Sequence, residues 1–506
     1  MMGRQCDGQA SLLYEFRLED RVPGDHLLRK IDRFLDLGTL RRELAPFYSS
    51  MGRPSVDPEL LIRMLIVGYC FGIRSERRLC EEVDLNLAYR WFCRLGLDGD
   101  IPDHSTFSKT RHGRFRDSDA FRHLFEMVMQ RAITEGLVGD EGFAVDASLI
   151  AADANKQRSF ASTDEVDWRE LAAARRSARE YLGTLDDAAW GAASEVVPKF
   201  ISPSDPAAQW TGAHKGHAFF AYADNYLIDL KTAIIVDVEA TRVSRRAKVG
   251  ATRTMLDRTE ACFGLKPQRL SADSAYGSAE ILAWMVEEKN ITPHVPVWDK
   301  SERTNGTFSR SEFIFDAGSN TYTCPGGKIL QQYRRPFTMP RTGITKENTR
   351  LYRASKTDCA ACAFKANSRK VPRSVHEAAR EVVRGHANSP EYVQSRRERK
   401  KIEMLFAHLK RILRLNRLRL GGPSGAKDEF LLAAIAQNLR KLAKSVDRSR
   451  LVPCPCEHSR NELKARTSEP ASADSRRVTS TADRRDLAKI LPSSTSSTES
   501  ADSGHW

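Results

Sequence analysis

The chain has 506 residues, and its 80 Lys and Arg against 66 Asp and Glu give a formal charge of +14. With 41% hydrophobic and 29% charged residues the composition is globular, which excludes a fibrous or wholly disordered protein. The longest apolar stretch, Leu60 to Ile73, is interrupted by Arg63 and too short to span a bilayer, so no membrane role is expected.

Residues 1–24 read as an N-terminal arm without the apolar segment of a signal peptide, and residues 25–135 as an all-helical domain. Asp57-Pro58-Glu59 supplies an N-cap residue, a proline at the first helical position and an acid in the first turn; Leu61, Leu65, Val67 and Ile73 follow. A second helix starts after Ser75. A third opens at Asp103-His104-Ser105-Thr106 and carries Lys109, Arg111, Arg114 and Arg116, a basic face suited to DNA. The pattern changes at Gly142, where Phe143 and Val145 alternate with small residues and predict a short strand ending at Asp146. A helical insertion is expected over about 160–200. Phe219 to Thr241 reads as a strand pair, Lys248 to Phe263 as a helix, and Leu270-Ser271-Ala272 as a strand ending at Asp273. Residues 136–298 therefore predict the first part of an α/β core. Gly, Pro, aromatic and Cys punctuation marks 299–390 as a small β-rich insertion. The core resumes over 391–446, with a helix from Glu391 to about Leu420 and another from Asp428 to Lys444. The Ser-, Thr- and Arg-rich residues 447–506 predict a disordered tail. Ten cysteines over this length make no secreted disulfide framework, so a reducing cytoplasm is the expected compartment.

Three carboxylates stand out by context. Asp146 and Asp273 end apolar strands, and Glu403 lies on the helix that begins near Glu391. At about 100° per residue, Arg396, Arg399, Lys410, Arg414 and Arg417 fall within roughly 40° of Glu403, beside an apolar stripe of Ile402, Leu405, Phe406 and Leu409. Clustered carboxylates repel one another unless a cation joins them. Hard oxygen ligands from several elements are what two-metal phosphodiester chemistry requires, and neighbouring Arg and Lys would hold the DNA backbone. Strand-end acids more often cap turns or face water, and Arg399–Glu403 is also an ordinary i,i+4 pair.

The sequence around these acids resembles the DDE transposases of bacterial insertion sequences, in the branch with a Tyr-x2-Arg-x3-Glu-x6-Lys signature. Arg399, Glu403 and Lys410 match its last three positions; Arg396 stands where the signature has Tyr. Val145-Asp146-Ala147 and Ala272-Asp273-Ser274-Ala275-Tyr276 match the first two acid contexts. Gly52-Arg53-Pro54-Ser55-Val56-Asp57-Pro58, Pro102-Asp103-His104-Ser105-Thr106-Phe107 and Ser204-Asp205-Pro206 add to the likeness, which spans about residues 15–445. The resemblance implies a ribonuclease-H-like mixed sheet flanked by helices, with Asp146, Asp273 and Glu403 as catalytic acids and ligands of two Mg2+ or Mn2+ ions. It implies cleavage at terminal inverted repeats in the bacterial nucleoid and joining of 3′-hydroxyl ends to target DNA, within a homodimer or larger assembly. Arg396, Arg399, Lys410 and Arg414 are the expected phosphate contacts. Cys324-Pro325-Gly326-Gly327 and Cys359-Ala360-Ala361-Cys362 resemble a zinc-knuckle pair; with Ala366-Asn367-Ser368 where relatives place another Cys, three Cys and only His376 to complete the set, a metal-free remnant is expected over a structural Zn2+. His408 reads as a surface or DNA-facing residue and Tyr276 as a packing residue. The alternatives are a degenerate copy that binds inverted repeats without cutting, and a nuclease that cuts without joining.

Overall fold

The computed structural model describes residues 16–445, except 50, 53–54, 188–189, 191–197, 213–215, 298–311, 333–342, 346–347 and 361–369. Cys362 and the tail from 447 therefore lie outside the described residues. No helix among the described residues is long and apolar enough to cross a membrane.

From Leu18 to Thr134 every described element is helical. Helix α1, Pro58–Phe71, begins as its sequence dictates: the Asp57 carboxylate accepts from the Glu59 N–H at 2.9 Å, a cap worth about 1 kcal/mol, and Pro58 occupies the first turn. Leu61 to Cys70 are all buried, so α1 is surrounded rather than amphipathic. Its one internal cation, Arg63, is neutralised by Asp32 at 2.7 Å and Glu59 at 2.9 Å. Gly72 ends α1 at φ 69°, and a Cβ there would meet the Ile412 carbonyl at 2.7 Å; both facts demand glycine where this region touches the chain just before Arg414. Helix α2, Glu76–Leu85, follows its Ser75 cap. The basic face predicted after Asp103 is partly consumed internally: Arg111 is buried against Glu76 at 2.5 Å, and Arg116 pairs with Glu180 at 3.0 Å. Helix α3, Ala120–Thr134, closes the region and sends Arg122 to Asp237 at 2.6 Å, a buried pair.

The central sheet holds β1 (Gly142–Ala151), β2 (Gln209–Thr211), β3 (Phe219–Asp229), β4 (Ile235–Thr241), β5 (Arg269–Ser271) and β6 (Thr292–His294). Its order is β2-β3-β1-β5-β6, with β4 also paired to β3. β1 and β3 are antiparallel in the register Asp146↔Tyr226 and Ser148↔Asp224, while β1, β5 and β6 run parallel. β3 is buried from Phe220 to Asp229, as a central strand covered on both faces should be. The strand expected to stop at Asp146 runs on to Ala151, because β3 pairs with it along its whole length; Asp146 is a mid-strand residue. Helix α4 (Arg245–Phe263) packs on β3 and β4.

Helix α5, Pro390–Arg411, lies against β1, β5 and β6. It is pinned by the Tyr226–Phe406 stack, with centroids 4.9 Å apart, and by His294 Nδ1 to Ser395 Oγ at 2.8 Å. The predicted continuation to Leu420 does not form: Arg414 turns left-handed at φ 55°, and the chain bends. Helix α6, Gly422–Ser445, begins earlier than the sequence pattern suggested. Its Asn438 side chain donates to the Ile235 carbonyl at 2.8 Å and accepts from the Ile235 N–H at 2.9 Å, so the outer edge of β4 is satisfied there. Glu429 of α6 takes the backbone N–H groups of Arg419 and Leu420 and pairs with Arg74. The insertion is an antiparallel sheet of β7 (Ile314–Asp316), β8 (Thr321–Thr323), β9 (Ile329–Gln332), β10 (Thr349–Arg353) and β11 (Lys370–Ser374), packed around Tyr322, Leu330, Tyr352 and Val371.

Candidate active site

The parallel pairing of β1 with β5 positions the first two acids. Ala144 lies opposite Ser271 on parallel strands that run about 4.8 Å apart; Asp146 follows two residues on within β1, and Asp273 two residues on, just past the end of β5. Asp146 is mostly buried and accepts from the Ala147 N–H at 2.7 Å. Burial pushes its pKa above the ordinary carboxylate range, and the negative charge of Asp273 adds to the rise; the Ala147 N–H, Arg399 and Lys248 oppose it. Asp273 caps the short turn Ser274–Tyr276, accepting from the Ala275 N–H at 2.8 Å.

Glu403 arrives from α5. One turn before it, Arg399 reaches Asp146 Oδ2 through Nη1 at 3.1 Å and Glu403 Oε1 through Nη2 at 3.5 Å. Glu403 is 59% exposed against 21% for Arg399, so it hangs at the rim of the cleft with the guanidinium between it and Asp146. Among the described residues no three His, Cys, Asp or Glu side chains are drawn together closely enough to hold a metal ion. The structure thus brings Asp146 and Asp273 side by side and links Glu403 to them through Arg399, without closing the three into one cage. The donor chemistry nonetheless suits a hard divalent cation: carboxylate oxygens from three elements, two of them repelling each other.

Tyr276 is buried, as its packing role predicted, but its hydroxyl finds no hydrogen-bond partner among the described residues and lies in the field of both strand acids. Burial and those two charges hold it well above the usual phenol range.

The expected phosphate contacts divide. Arg396 is exposed on α5. Arg414 lies outside the helix and packs against Gly72, and Arg417, which the helical wheel put in the same row, pairs with Asp153 at 2.8 Å. Lys410 is half-buried, and burial lowers its pKa against the opposing pull of Asp224. Asp224 is a site residue that the sequence pattern did not single out. It is fully buried on β3, on the same sheet face as Asp146, and neither of its oxygens has a hydrogen-bond partner of good geometry among the described residues. Burial raises its pKa well above the usual range, opposed by the Tyr226 hydroxyl and the Lys410 charge. The available signal was Asp224-Asn225 interrupting an apolar run within a strand buried on both faces. His408, expected at the surface, is instead half-buried beside Gln437, with Nδ1 and Nε2 3.3 Å apart. Of the cysteines, Cys324 accepts from the Lys328 N–H at 3.3 Å in the β8–β9 turn and Cys359 lies in a short helix, Lys356–Ala360.

An α/β sheet with one acid on β1, a second just past the end of the neighbouring parallel strand β5, a third on an overlying helix and a helical N-terminal region defines the class. The family described as "Transposase DDE domain" matches residues 137–439, more than half of the chain, and "Transposase domain (DUF772)" matches residues 16–113. The chain belongs to the transposase DDE domain family, whose business is DNA transposition and recombination. No curated protein matches it in a sequence comparison. A cryo-EM structure of a piggyBac transposase synaptic complex with hairpin DNA aligns over 89% of this chain and 87% of that one, at 10% identity and a TM-score of 0.31, a likeness too distant to build on.

Proposed function

We propose that the protein is an insertion-sequence transposase that cuts DNA at terminal inverted repeats and joins the released 3′-hydroxyl ends to target DNA. The observation that carries this reading is the register of β1 and β5, which sets Asp146 beside Asp273 while Arg399 ties Glu403 to Asp146. The strand order, three antiparallel strands followed by two parallel ones across the sheet, supports the ribonuclease-H-like arrangement. Asp146, Asp273 and Glu403 are the residues that would hold two Mg2+ or Mn2+ ions, which supply the Lewis acidity that activates the attacking hydroxyl and stabilises the leaving oxygen. Arg399 stands at the arginine position of the signature and pairs with both Asp146 and Glu403, so it would hold the two acids in register with each other. Arg396 offers an exposed charge to backbone phosphate; Lys410, held over Asp224, sits deeper on the same face of α5. Residues 25–135 would hold the element's ends, within a dimer or larger synaptic assembly in the nucleoid.

The test is cleavage and strand transfer with a duplex carrying the element's own ends and Mg2+. Asp146→Ala, Asp273→Ala and Glu403→Ala should each abolish cutting and keep end binding; retained cutting in any one removes that residue from the site. Binding without nicking by the unaltered chain would favour the degenerate, binding-only alternative. Nicking without joining would make the protein a nuclease.

A further inference from the structure

The flank of α5 turned away from Glu403 borders a cavity of about 400 Å³. Lys401, Met404, Leu405 and His408, spaced along one face of α5, form one wall; Gln437, Arg440, Lys441 and Lys444, spaced in the same way along α6, form the second. The β3–β4 turn, Lys231 to Ala233, closes the end. Five of these side chains are cations, and none of the lining residues is an acid.

Three of the five cations are fixed rather than free to swing away, while Lys231 and Lys444 stand exposed at the rim. Lys401 Nζ donates to the carbonyls of Leu230 at 2.6 Å and Lys231 at 3.0 Å, Lys441 Nζ to that of Thr232 at 2.6 Å, and Arg440 Nη1 to that of Cys70 at 2.8 Å. A simpler account is that these side chains only cap carbonyls. Capping does not explain why so many converge with so little counter-charge. Two acids act on these cations: Glu398, 3.8 Å from Lys401, and Asp229, whose Oδ1 already accepts from the Thr232 N–H at 2.6 Å and hydroxyl at 2.9 Å. The crowding registers on the groups inside: burial and then the charges of Lys401 and Lys444 bring Lys441 down to about 8, with Asp229 opposing. Burial together with Arg440, Lys444 and Lys441 brings His408 down to about 4.

We propose that this cavity is a phosphate site, occupied by a DNA backbone phosphate that lies across α5 from the cut. An entering oxyanion gains fixed ammonium and guanidinium donors and relieves repulsion among them. The apolar share of the lining, with Met404 71% exposed at the rim, suits a phosphodiester with its sugar better than a bare inorganic ion. The proposal rests on the DNA-processing reading only for the source of the phosphate.

The test is lysine acylation footprinting of the full chain, read residue by residue by mass spectrometry, with a duplex lacking the element's ends or with inorganic phosphate. Expected is at least about threefold slower acylation of Lys441 and Lys444 with duplex. The same protection by inorganic phosphate would assign the site to free oxyanions in general. Protection by neither probe overturns the site. In parallel, the exposed rim variants Lys231→Glu and Lys444→Glu, combined, should lower the slope of log K against log salt for duplex binding by about 0.9, one phosphate's worth; an unchanged slope also overturns it. Cutting assayed on the same preparation separates the failures: ends cut normally with an unprotected cavity discard the cavity alone, and protection without cutting discards the transposase reading alone.

Discussion

The two flanks of α5 handle charge in opposite ways. On the Glu403 flank every central cation meets carboxylates: Arg399 joins Asp146 and Glu403, and Lys410 faces Asp224. On the other flank Lys401, Arg440 and Lys441 are held mainly by neutral carbonyls, with Lys444 exposed beside them. One helix therefore separates a pocket of excess negative charge, suited to cations, from a pocket of excess positive charge, suited to anions. The +14 charge of the whole chain reveals neither.

The largest expected effect is that of Asp237→Ala on β4, away from both flanks. It leaves the buried Arg122 without its carboxylate at 2.6 Å, while Arg258 keeps Glu239 at 2.7 Å, and removing one partner from a buried pair costs about 3–5 kcal/mol. Urea unfolding of the full chain reads it; a loss under about 1 kcal/mol would mean these charges are solvated. Next is Arg399→Ala, expected to cut end cleavage by at least about tenfold, or ~1.4 kcal/mol of barrier. Its sign with pH follows from Asp146. The carboxylate must be ionised to act, its pKa is already raised, and loss of Arg399 raises it further, so the acid limb of the rate profile should move to higher pH. A limb that stays put would remove Arg399 from contact with Asp146.

Smaller is the titration of Lys441. Its acylation rate should follow a pKa of about 8, against about 10.4 for an ordinary lysine. Lys444→Gln should move it upward by removing a like charge. A value near that of free lysine would mean the cavity's cations do not sense one another. Smallest is Arg396→Ala, which should lower the salt slope of DNA binding by about 0.9. Lys410→Ala should change it less, because Lys410 is half-buried over Asp224.

Much of this was legible in the sequence because it is local. Asp57-Pro58, Ser75 and Asp103 begin their helices where their side chains cap N–H groups. The contexts of Asp146, Asp273 and Glu403 marked the acids, though their juxtaposition is a matter of strand register. What failed was non-local. The extent of β1 past Asp146 is set by pairing with β3, and the end of α5 at Arg411 by the bend at Arg414 against Gly72, so the wheel that placed Arg414 and Arg417 beside Glu403 ran beyond its helix. Asp224 and the cation-lined cavity were invisible for the same reason: burial and the meeting of α5 with α6 are properties of the folded chain. In the basic stretch after Asp103 the sequence did not show that Arg111 and Arg116 pair internally with Glu76 and Glu180.

The central claim is that the strand acids bind a catalytic divalent ion. Asp273→Cys tests it most directly, because a thiolate is a poor ligand for Mg2+ and a better one for softer metals. The account predicts no cleavage of end-bearing DNA with Mg2+ and measurable recovery with Mn2+, while Asp273→Ala stays inactive with both. Equal cleavage by the cysteine and unaltered proteins in Mg2+ would contradict it.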